Sequence, residues 1–161
     1  MPKHIIKSNW QKLGVICFWV VWPGLWLYLR GTTRTRVLVV VDKDVLLVKT
    51  WLGDGRWSLP GGGLHRHELV DDGALRELYE ETGLQLERHS LRYVATQQST
   101  NHGLAFTAAF FVAELREKPH IRTQRFEIAD YAWIPVADSR KDSCSTDVLE
   151  AIRLYTSLDS K

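Results

Sequence analysis

Cysteine is scarce in this sequence, which has only Cys17 and Cys144 among its 161 residues. The two are isolated and lack metal-binding or redox spacing, so neither is a candidate nucleophile, and the chain is typical of a reducing compartment. Alanine is absent before Ala74, and the small-residue cleavage site of a signal peptide is therefore missing. Internal repeats and low-complexity segments are absent too. These absences predict a cytoplasmic protein.

Acidic residues are missing from the first 41 positions, although the whole chain is nearly neutral. The charged residues there are all basic: Lys3, Lys7, Lys12, Arg30, Arg34 and Arg36. The full chain has 21 basic and 19 acidic residues, so the part after Arg36 keeps 15 basic against 19 acidic residues, a charge of about −4. The two parts are therefore expected to have different partners.

An uncharged, apolar run covers residues 13–29, with a basic residue at each end. As a helix it would span roughly 26 Å, slightly less than the roughly 30 Å core of a bilayer, and Pro23 favours a kink. Three tryptophans follow one helical face, and Trp prefers the membrane interface: Trp19, Trp22 and Trp26. Residues 1–31 are thus predicted to be an apolar helical segment that attaches to the inner face of a membrane through residues 1–30. The alternative is a segment packed on the protein's own core.

Residues 32–161 predict one α/β domain. Its expected strands are residues 36–41, 45–48, 91–98, 105–114 and 128–134. The first two form a hairpin and the next two a second pair. One helix is expected from about residue 70 to Thr82, and a second starts near Ser145. The apolar face of the second consists of Val148, Leu149, Ile152 and Tyr155.

The first of these helices has an acidic face. A turn of roughly 100° per residue places three glutamates together, Glu77, Glu80 and Glu81. The same geometry puts the apolar residues nearly opposite, namely Leu75, Leu78 and Tyr79. Carboxylates at this spacing repel one another, so the arrangement favours a hard divalent cation. Magnesium shares its coordination between carboxylates and substrate phosphates, which predicts a phosphorylated substrate.

A glycine-rich turn precedes this helix. Gly61, Gly62 and Gly63 follow Pro60 and allow a close approach of the backbone to a phosphate, so they are candidate substrate-binding residues. Arg76 lies one turn before Glu80 and is expected to hold that carboxylate in a ligating rotamer.

The segment from Gly62 to Leu84 resembles the Nudix box, Gly-x5-Glu-x7-Arg-Glu-U-x-Glu-Glu-x-Gly-U, with U a bulky aliphatic residue. Every fixed position matches. The resemblance implies a Nudix-type α/β/α sandwich with a mixed β-sheet, here preceded by the apolar N-terminal helical segment. It also implies hydrolysis of nucleoside diphosphates linked to another moiety, with Mg²⁺ or Mn²⁺. Glu77, Glu80 and Glu81 would be the metal ligands and Arg76 their orienting partner.

The general base stays open, because in this family it comes from the box or from a downstream loop. Glu80 and Glu127 are therefore both candidate catalytic residues. Trp57 is a candidate surface for stacking on a base, whereas Phe106 and Phe110 are expected in the core. Two loop histidines, His65 and His67, are expected to face solvent.

Two other functions are compatible with the fold. One is a nucleotide-binding sensor without turnover, although sensors often lose box glutamates and this chain keeps them. The other is an RNA 5′-end pyrophosphohydrolase, which the acidic charge after Arg36 disfavours because nucleic acid needs a basic groove. The sequence does not indicate an oligomeric state or choose the diphosphate substrate.

Overall fold

A computed structural model describes residues 13–21, 24, 32–101, 104–123, 127–139 and 143–158. The elements that follow the N-terminal segment are β1 (Thr33–Val41), β2 (Asp44–Thr50), α1 (Val70–Thr82), a short 3-10 helix (Arg88–Ser90), β3 (Arg92–Asn101), β4 (Leu104–Leu115), β5 (Ile128–Pro135) and α2 (Thr146–Leu158). Each predicted strand and both predicted helices of the domain have a counterpart here. The largest boundary differences are in β1, which begins three residues before the predicted strand, and in β3, which ends three residues after it.

The strands form one mixed sheet in the order β3-β4-β1-β2-β5. The central strands β1 and β4 run parallel, and the remaining neighbours are antiparallel. Both predicted strand pairs, β1 with β2 and β3 with β4, are confirmed. A mixed sheet agrees with the architecture that the resemblance implies.

The β1 strand is buried on both faces, which explains its continuous apolar run. Val37 and Val39 share one buried cluster with residues of α1. Leu38 and Val40 share the other with residues of α2. Successive side chains of a strand point to opposite faces, so the two helices cover opposite sides of the sheet. The α/β/α sandwich is therefore confirmed.

Two residues of the predicted apolar helix faces are on the surface. Tyr79 is 55% exposed and Leu149 is 41% exposed. In α1 the buried stripe includes Ala74, Leu78 and Glu81, and Tyr79 is turned roughly 100° away from Leu78. The acidic and apolar faces of α1 are consequently not opposite one another, because Glu81 lies on the buried side.

Residues 13–21 of the N-terminal segment are helical, while Trp22, Pro23 and Trp26 lie outside the described residues. Gly14 packs on the domain so closely that a Cβ there would lie 2.1 Å from the carbonyl oxygen of Trp51. This close contact of Gly14 agrees with the alternative prediction, in which the segment packs on the protein's own core. In the part of the chain that the structure covers, no helix has the length and apolar character needed to cross a membrane.

Candidate active site

The glycine-rich loop runs beside the start of β1 and is tied to it by backbone hydrogen bonds. The N–H of Thr35 donates to the carbonyl of Gly62 at 2.8 Å, and the N–H of Val37 donates to Pro60 at 2.9 Å. Gly61 has a φ of 139°, and a Cβ there would lie 2.2 Å from the carbonyl oxygen of Thr35. Only glycine fits this position, because both the backbone angle and the contact exclude a side chain.

The next two glycines differ in what surrounds them. A Cβ on Gly62 would lie 2.3 Å from Oε2 of Glu77, so this glycine makes room for a carboxylate. A Cβ on Gly63 would meet nothing within 4 Å. The space around Gly63 would therefore admit a side chain, and the Gly63 carbonyl accepts a hydrogen bond from Nη2 of Arg76 at 3.0 Å.

Arg76 holds three of the box glutamates. Its Nε and Nη2 donate to the two carboxylate oxygens of Glu68 at 2.7 and 2.9 Å. Its Nη1 donates to Glu77 at 2.8 Å and to Glu80 at 3.2 Å. The structure thus brings Arg76 and Glu80 together as predicted, and Glu77 shares the same guanidinium.

Glu68 is the site residue whose role the sequence analysis missed. It is a fixed position of the box, and that position was the available signal. Its hydrogen bond from Arg76 lowers the pKa of the Glu68 carboxyl to about 2, helped by a bond from the N–H of His65. The same pair raises the pKa of Arg76 above its usual range. Glu68 therefore anchors the arginine that orients the other carboxylates.

The three candidate metal ligands differ in burial. The side chains of Glu77 and Glu80 are 15% and 39% exposed, whereas Glu81 is 6% exposed. The Glu81 carboxylate accepts a hydrogen bond from the N–H of Gly61 at 2.9 Å. Burial raises the pKa of the Glu81 carboxyl to about 8, although the Gly61 bond and the charge of Arg36 oppose this. Glu81 is thus a desolvated acid on the loop side of α1.

Oxygen donors at this place suit a divalent cation. Among the described residues, no three His, Cys, Asp or Glu side chains converge tightly enough to enclose a metal ion, since Glu77 and Glu80 turn towards Arg76. The Glu81 carboxylate has no ion pair with any described cationic side chain. A bound cation would compensate for its desolvated charge. The oxygen donors of Glu77, Glu80 and Glu81 therefore suit a hard metal ion by their chemistry, and Glu77 and Glu80 would have to turn from Arg76 to enclose one.

Glu127, the downstream candidate base, lies just before β5 and is exposed. Its carbonyl accepts a hydrogen bond from the N–H of Trp51 at 2.8 Å. Its negative charge contributes to the raised pKa of Glu81, after the larger effects of burial and of Glu77. Glu127 is therefore near the box carboxylates, although 46 positions separate it from Glu81 along the sequence.

The aromatic candidates differ in burial. Trp57 is partly buried, with the Nζ of Lys49 4.6 Å from its ring centroid. Phe106 and Phe110 are 3% and 1% exposed and belong to the core, as predicted. His65 and His67 are exposed in the loop before α1, which confirms the prediction that they face solvent.

A buried ion pair on the other side of the sheet also contacts the glycine-rich loop. Arg36 pairs with Asp147 at the start of α2, and its Nη1 donates to the carbonyl of Gly61 at 2.8 Å. Gly61 is therefore bonded through its carbonyl to Arg36 and through its N–H to Glu81. The sequence analysis counted Arg36 only as a basic residue. The available signal was a charge that directly precedes a buried apolar run.

Comparisons with known proteins agree with this geometry. The model of a family described as NUDIX domain matches residues 31–152. The chain is 31% identical over 120 residues to human nucleoside diphosphate-linked moiety X motif 6, covering 73% of this chain and 35% of that protein. It is 30% identical over 127 residues to mouse oxidized purine nucleoside triphosphate hydrolase, covering 68% and 81% respectively.

A solved structure shares the fold. The NUDIX domain of Shewanella oneidensis NrtR, complexed with ADP ribose, aligns with a TM-score of 0.67 at 21% identity. The alignment covers 80% of this chain and 88% of that one. The chain thus matches most of this structure and of the mouse relative, but only about a third of the human relative's length.

Proposed function

The chain belongs to the NUDIX domain family, and from that membership we propose that it hydrolyses the diphosphate bond of a nucleoside diphosphate linked to another moiety. Nudix proteins are hydrolases of phosphorus anhydride bonds and generally use divalent metal ions. The observation that carries the proposal is the pair of carboxylates at the glycine-rich loop. Glu81 is bonded to the N–H of Gly61, and Glu77 lies against Gly62.

In this proposal Glu77, Glu80 and Glu81 hold Mg²⁺ or Mn²⁺, and Arg76 keeps the first two in place. The bound ion would neutralise phosphate charge and lower the pKa of the attacking water. The Gly61 and Gly62 backbone lets the diphosphate approach α1 closely, because no side chain intervenes.

Proton removal from the attacking water is assigned to a carboxylate at the rim of the site. Glu80 and Glu127 are the two candidates, and both are more exposed than Glu81. Arg76 donates a hydrogen bond to Oε2 of Glu80 at 3.2 Å and none to Oε1. Comparing the pH profile of Glu127→Gln with that of Glu80→Gln would identify the base, because loss of the base removes the acidic limb of the profile.

Trp57 is proposed to stack on the nucleoside base. Stacking on an aromatic face tolerates different bases, which suits a generic nucleotide substrate. Lys49 lies over the Trp57 ring, so a base would use the other face or displace that side chain. The neighbouring carbonyl of Trp57 is fixed by hydrogen bonds from the backbone and side chain of Ser145.

A substrate panel tests the proposal. Phosphate-bond cleavage should be measured on ADP-ribose, NADH, a UDP-sugar, a dinucleoside polyphosphate and an oxidised purine triphosphate, each with Mg²⁺, Mn²⁺ or excess EDTA. We expect metal-dependent cleavage of at least one nucleotide-linked diphosphate and none in EDTA. Binding of ADP-ribose without turnover under any metal condition would support the sensor alternative instead. A 5′-triphosphorylated RNA completes the panel, and cleavage confined to it would support the RNA 5′-end pyrophosphohydrolase alternative.

We also propose that the N-terminal segment, residues 1–31, attaches the enzyme domain, residues 32–161, to a membrane surface. The helix at residues 13–21 presents apolar side chains to solvent, with Ile16, Trp19 and Val20 exposed by 61, 52 and 74%. Basic residues flank the segment and no acidic residue occurs before Asp42. Anionic lipids favour such a pattern by about 1 kcal/mol per basic residue.

Vesicle sedimentation tests this attachment. The full chain should bind vesicles of phosphatidylcholine with 30% phosphatidylserine, and the double variant Ile16→Glu/Val20→Glu should stay in the supernatant. Leu149→Glu is the matched control, because Leu149 is an exposed apolar residue on α2. Equal sedimentation of the wild type and the double variant would contradict the proposal.

A further inference from the structure

Arg34 lies on β1 at the edge of the glycine-rich loop. It is paired with Ala108 of β4 and forms a bridge with Gly63 of the loop. Alternate residues of a strand share a face, so Arg34 points to the same side of the sheet as Arg36. The residue is partly buried.

The two arginines differ in how their charges are satisfied. Arg36 has an ion pair with Asp147 and hydrogen bonds to the carbonyls of Thr35 and Gly61. The Arg34 guanidinium has no hydrogen bond or ion pair within the part of the chain that the structure describes. Among the described residues no buried side-chain nitrogen lacks a hydrogen-bond partner, so the unbonded Arg34 guanidinium keeps contact with solvent. A partly buried charge that is open to solvent and has no protein partner is accessible to an anionic ligand.

The charges around Arg34 are those of the candidate site. Burial, together with the positive charge of Arg36, lowers the pKa of the Arg34 guanidinium to about 10. Glu77, Glu81 and Asp147 act in the opposite direction. None of these acids is available to pair with it, since Glu77 binds Arg76, Glu81 binds Gly61 and Asp147 binds Arg36. At neutral pH Arg34 is therefore charged and close to the metal-binding carboxylates.

We propose that Arg34 binds a phosphate oxygen of the substrate's diphosphate. The inference rests on the proposed function, because that function requires a substrate diphosphate at this site. The planar fork of a guanidinium matches a phosphate group and donates two parallel hydrogen bonds to it. Box carboxylates already take up the charge of a divalent ion, so a diphosphate needs a further cation, and Arg34 provides it. The metal ion would bind the diphosphate from the side of α1, and Arg34 would bind it from the side of β1.

Affinity measurements with a diphosphate that is not hydrolysed test this role. The probe is α,β-methylene-ADP in the presence of Mg²⁺, measured by calorimetry on the full chain. We expect Arg34→Ala to weaken binding at least tenfold, which corresponds to about 1.4 kcal/mol. Arg34→Lys keeps the positive charge but loses the planar guanidinium. Its affinity for the probe should lie between those of the wild type and of Arg34→Ala.

The matched control is Arg92→Ala, which removes the same charge elsewhere on the sheet. Arg92 lies opposite Val112, four residues along β4 from Ala108, and pairs with Glu114 on the surface. At about 3.3 Å per residue this is roughly 13 Å along the strand. The control should bind the probe within about twofold of the wild type, as expected for a surface charge beyond the Debye length of about 10 Å.

Two further measurements separate a ligand contact from a structural role. Mn²⁺ binding alone, followed by electron paramagnetic resonance, should not weaken in Arg34→Ala, because the variant keeps all the carboxylates. The unfolding temperature of Arg34→Ala should not fall, because the wild-type charge has no partner to lose. An unchanged probe affinity in Arg34→Ala would overturn the proposed role of Arg34 and leave the proposed function standing. A lower unfolding temperature of the same variant would show that Arg34 has a structural role instead. Failure of the wild type to bind the probe with any metal would overturn the proposed function as well.

Discussion

Replacing Glu81 with glutamine tests the site with almost no change in volume. The variant should lose at least tenfold in metal-dependent hydrolysis, because it removes a ligand charge, and a tenfold loss corresponds to 1.36 kcal/mol of transition-state stabilisation. Its metal-free fold should nevertheless be more stable than the wild type at neutral pH. The hydrogen bond from the N–H of Gly61 can still be accepted by the amide oxygen.

The predicted gain in stability follows from the pKa of Glu81. Burial raises this pKa to about 8 in the folded protein, against an ordinary value of 4.5. Between these values the folded state retains a proton that the unfolded state has lost, so the free energy of unfolding decreases as pH rises from 4.5 to 8. With each pKa unit worth 1.36 kcal/mol, the penalty reaches ~3 kcal/mol at pH 7. Glutamine does not titrate, so the Glu81→Gln variant avoids this loss of stability.

Urea denaturation in EDTA at pH 5 and at pH 7.5 measures the effect. Glu81→Gln should be more stable than the wild type by ~3–4 kcal/mol at pH 7.5 and by less than ~1 kcal/mol at pH 5. The control is Glu87→Gln, since Glu87 is an exposed carboxylate outside the site. Added Mg²⁺ should stabilise the wild type more than Glu81→Gln. A Glu81→Gln variant that is less stable at pH 7.5, or that turns over at the wild-type rate, would refute the reasoning.

Two further variants probe the surroundings of the site. Gly62→Ala should reduce activity at least tenfold with little change in stability, because its methyl group displaces the flexible end of Glu77. The control Gly63→Ala has open space around the new methyl group and should keep wild-type activity. Equal activities of the two variants would contradict this prediction. Glu68→Gln should flatten the acid side of the stability curve. The pKa of Glu68 is lowered to about 2 by Arg76, so its carboxylate stabilises the fold above pH 4.5 and loses this effect as pH falls towards 2. Denaturation series should show about 1–2 kcal/mol less loss in the variant than in the wild type, after allowance for solvent screening.

The local part of the fold could be predicted from the sequence, whereas its long-range pairing could not. β-Branched runs and turn residues predicted the strands and both antiparallel pairs, because those signals lie within neighbouring residues. The parallel pairing of β1 with β4 joins Thr33 to Thr107 and Val41 to Leu115. Nothing local marks that contact, and the resemblance to a known family implied only that the sheet is mixed.

The same limit applies to the helix that carries the glutamates. Helical spacing predicted that Glu77, Glu80 and Glu81 share one face, but it does not say which side faces the sheet. Packing against Val37, Val39 and their neighbours set that direction, and it placed Leu78 and Glu81 on the buried side. The differences in burial among the three glutamates are therefore tertiary properties, and the raised pKa of Glu81 follows from them.

The buried pair of Arg36 and Asp147 shows why a motif alone describes this site incompletely. The pair joins residues 111 positions apart, and Arg36 also binds the carbonyl of Gly61. Removing one partner of a buried pair usually destabilises a protein by 3–5 kcal/mol, since the other charge is left uncompensated. In this chain the loss would also free the peptide that bonds to Glu81. The position of Glu81 relative to the glycine-rich loop therefore depends on α2, on the opposite face of the sheet from α1.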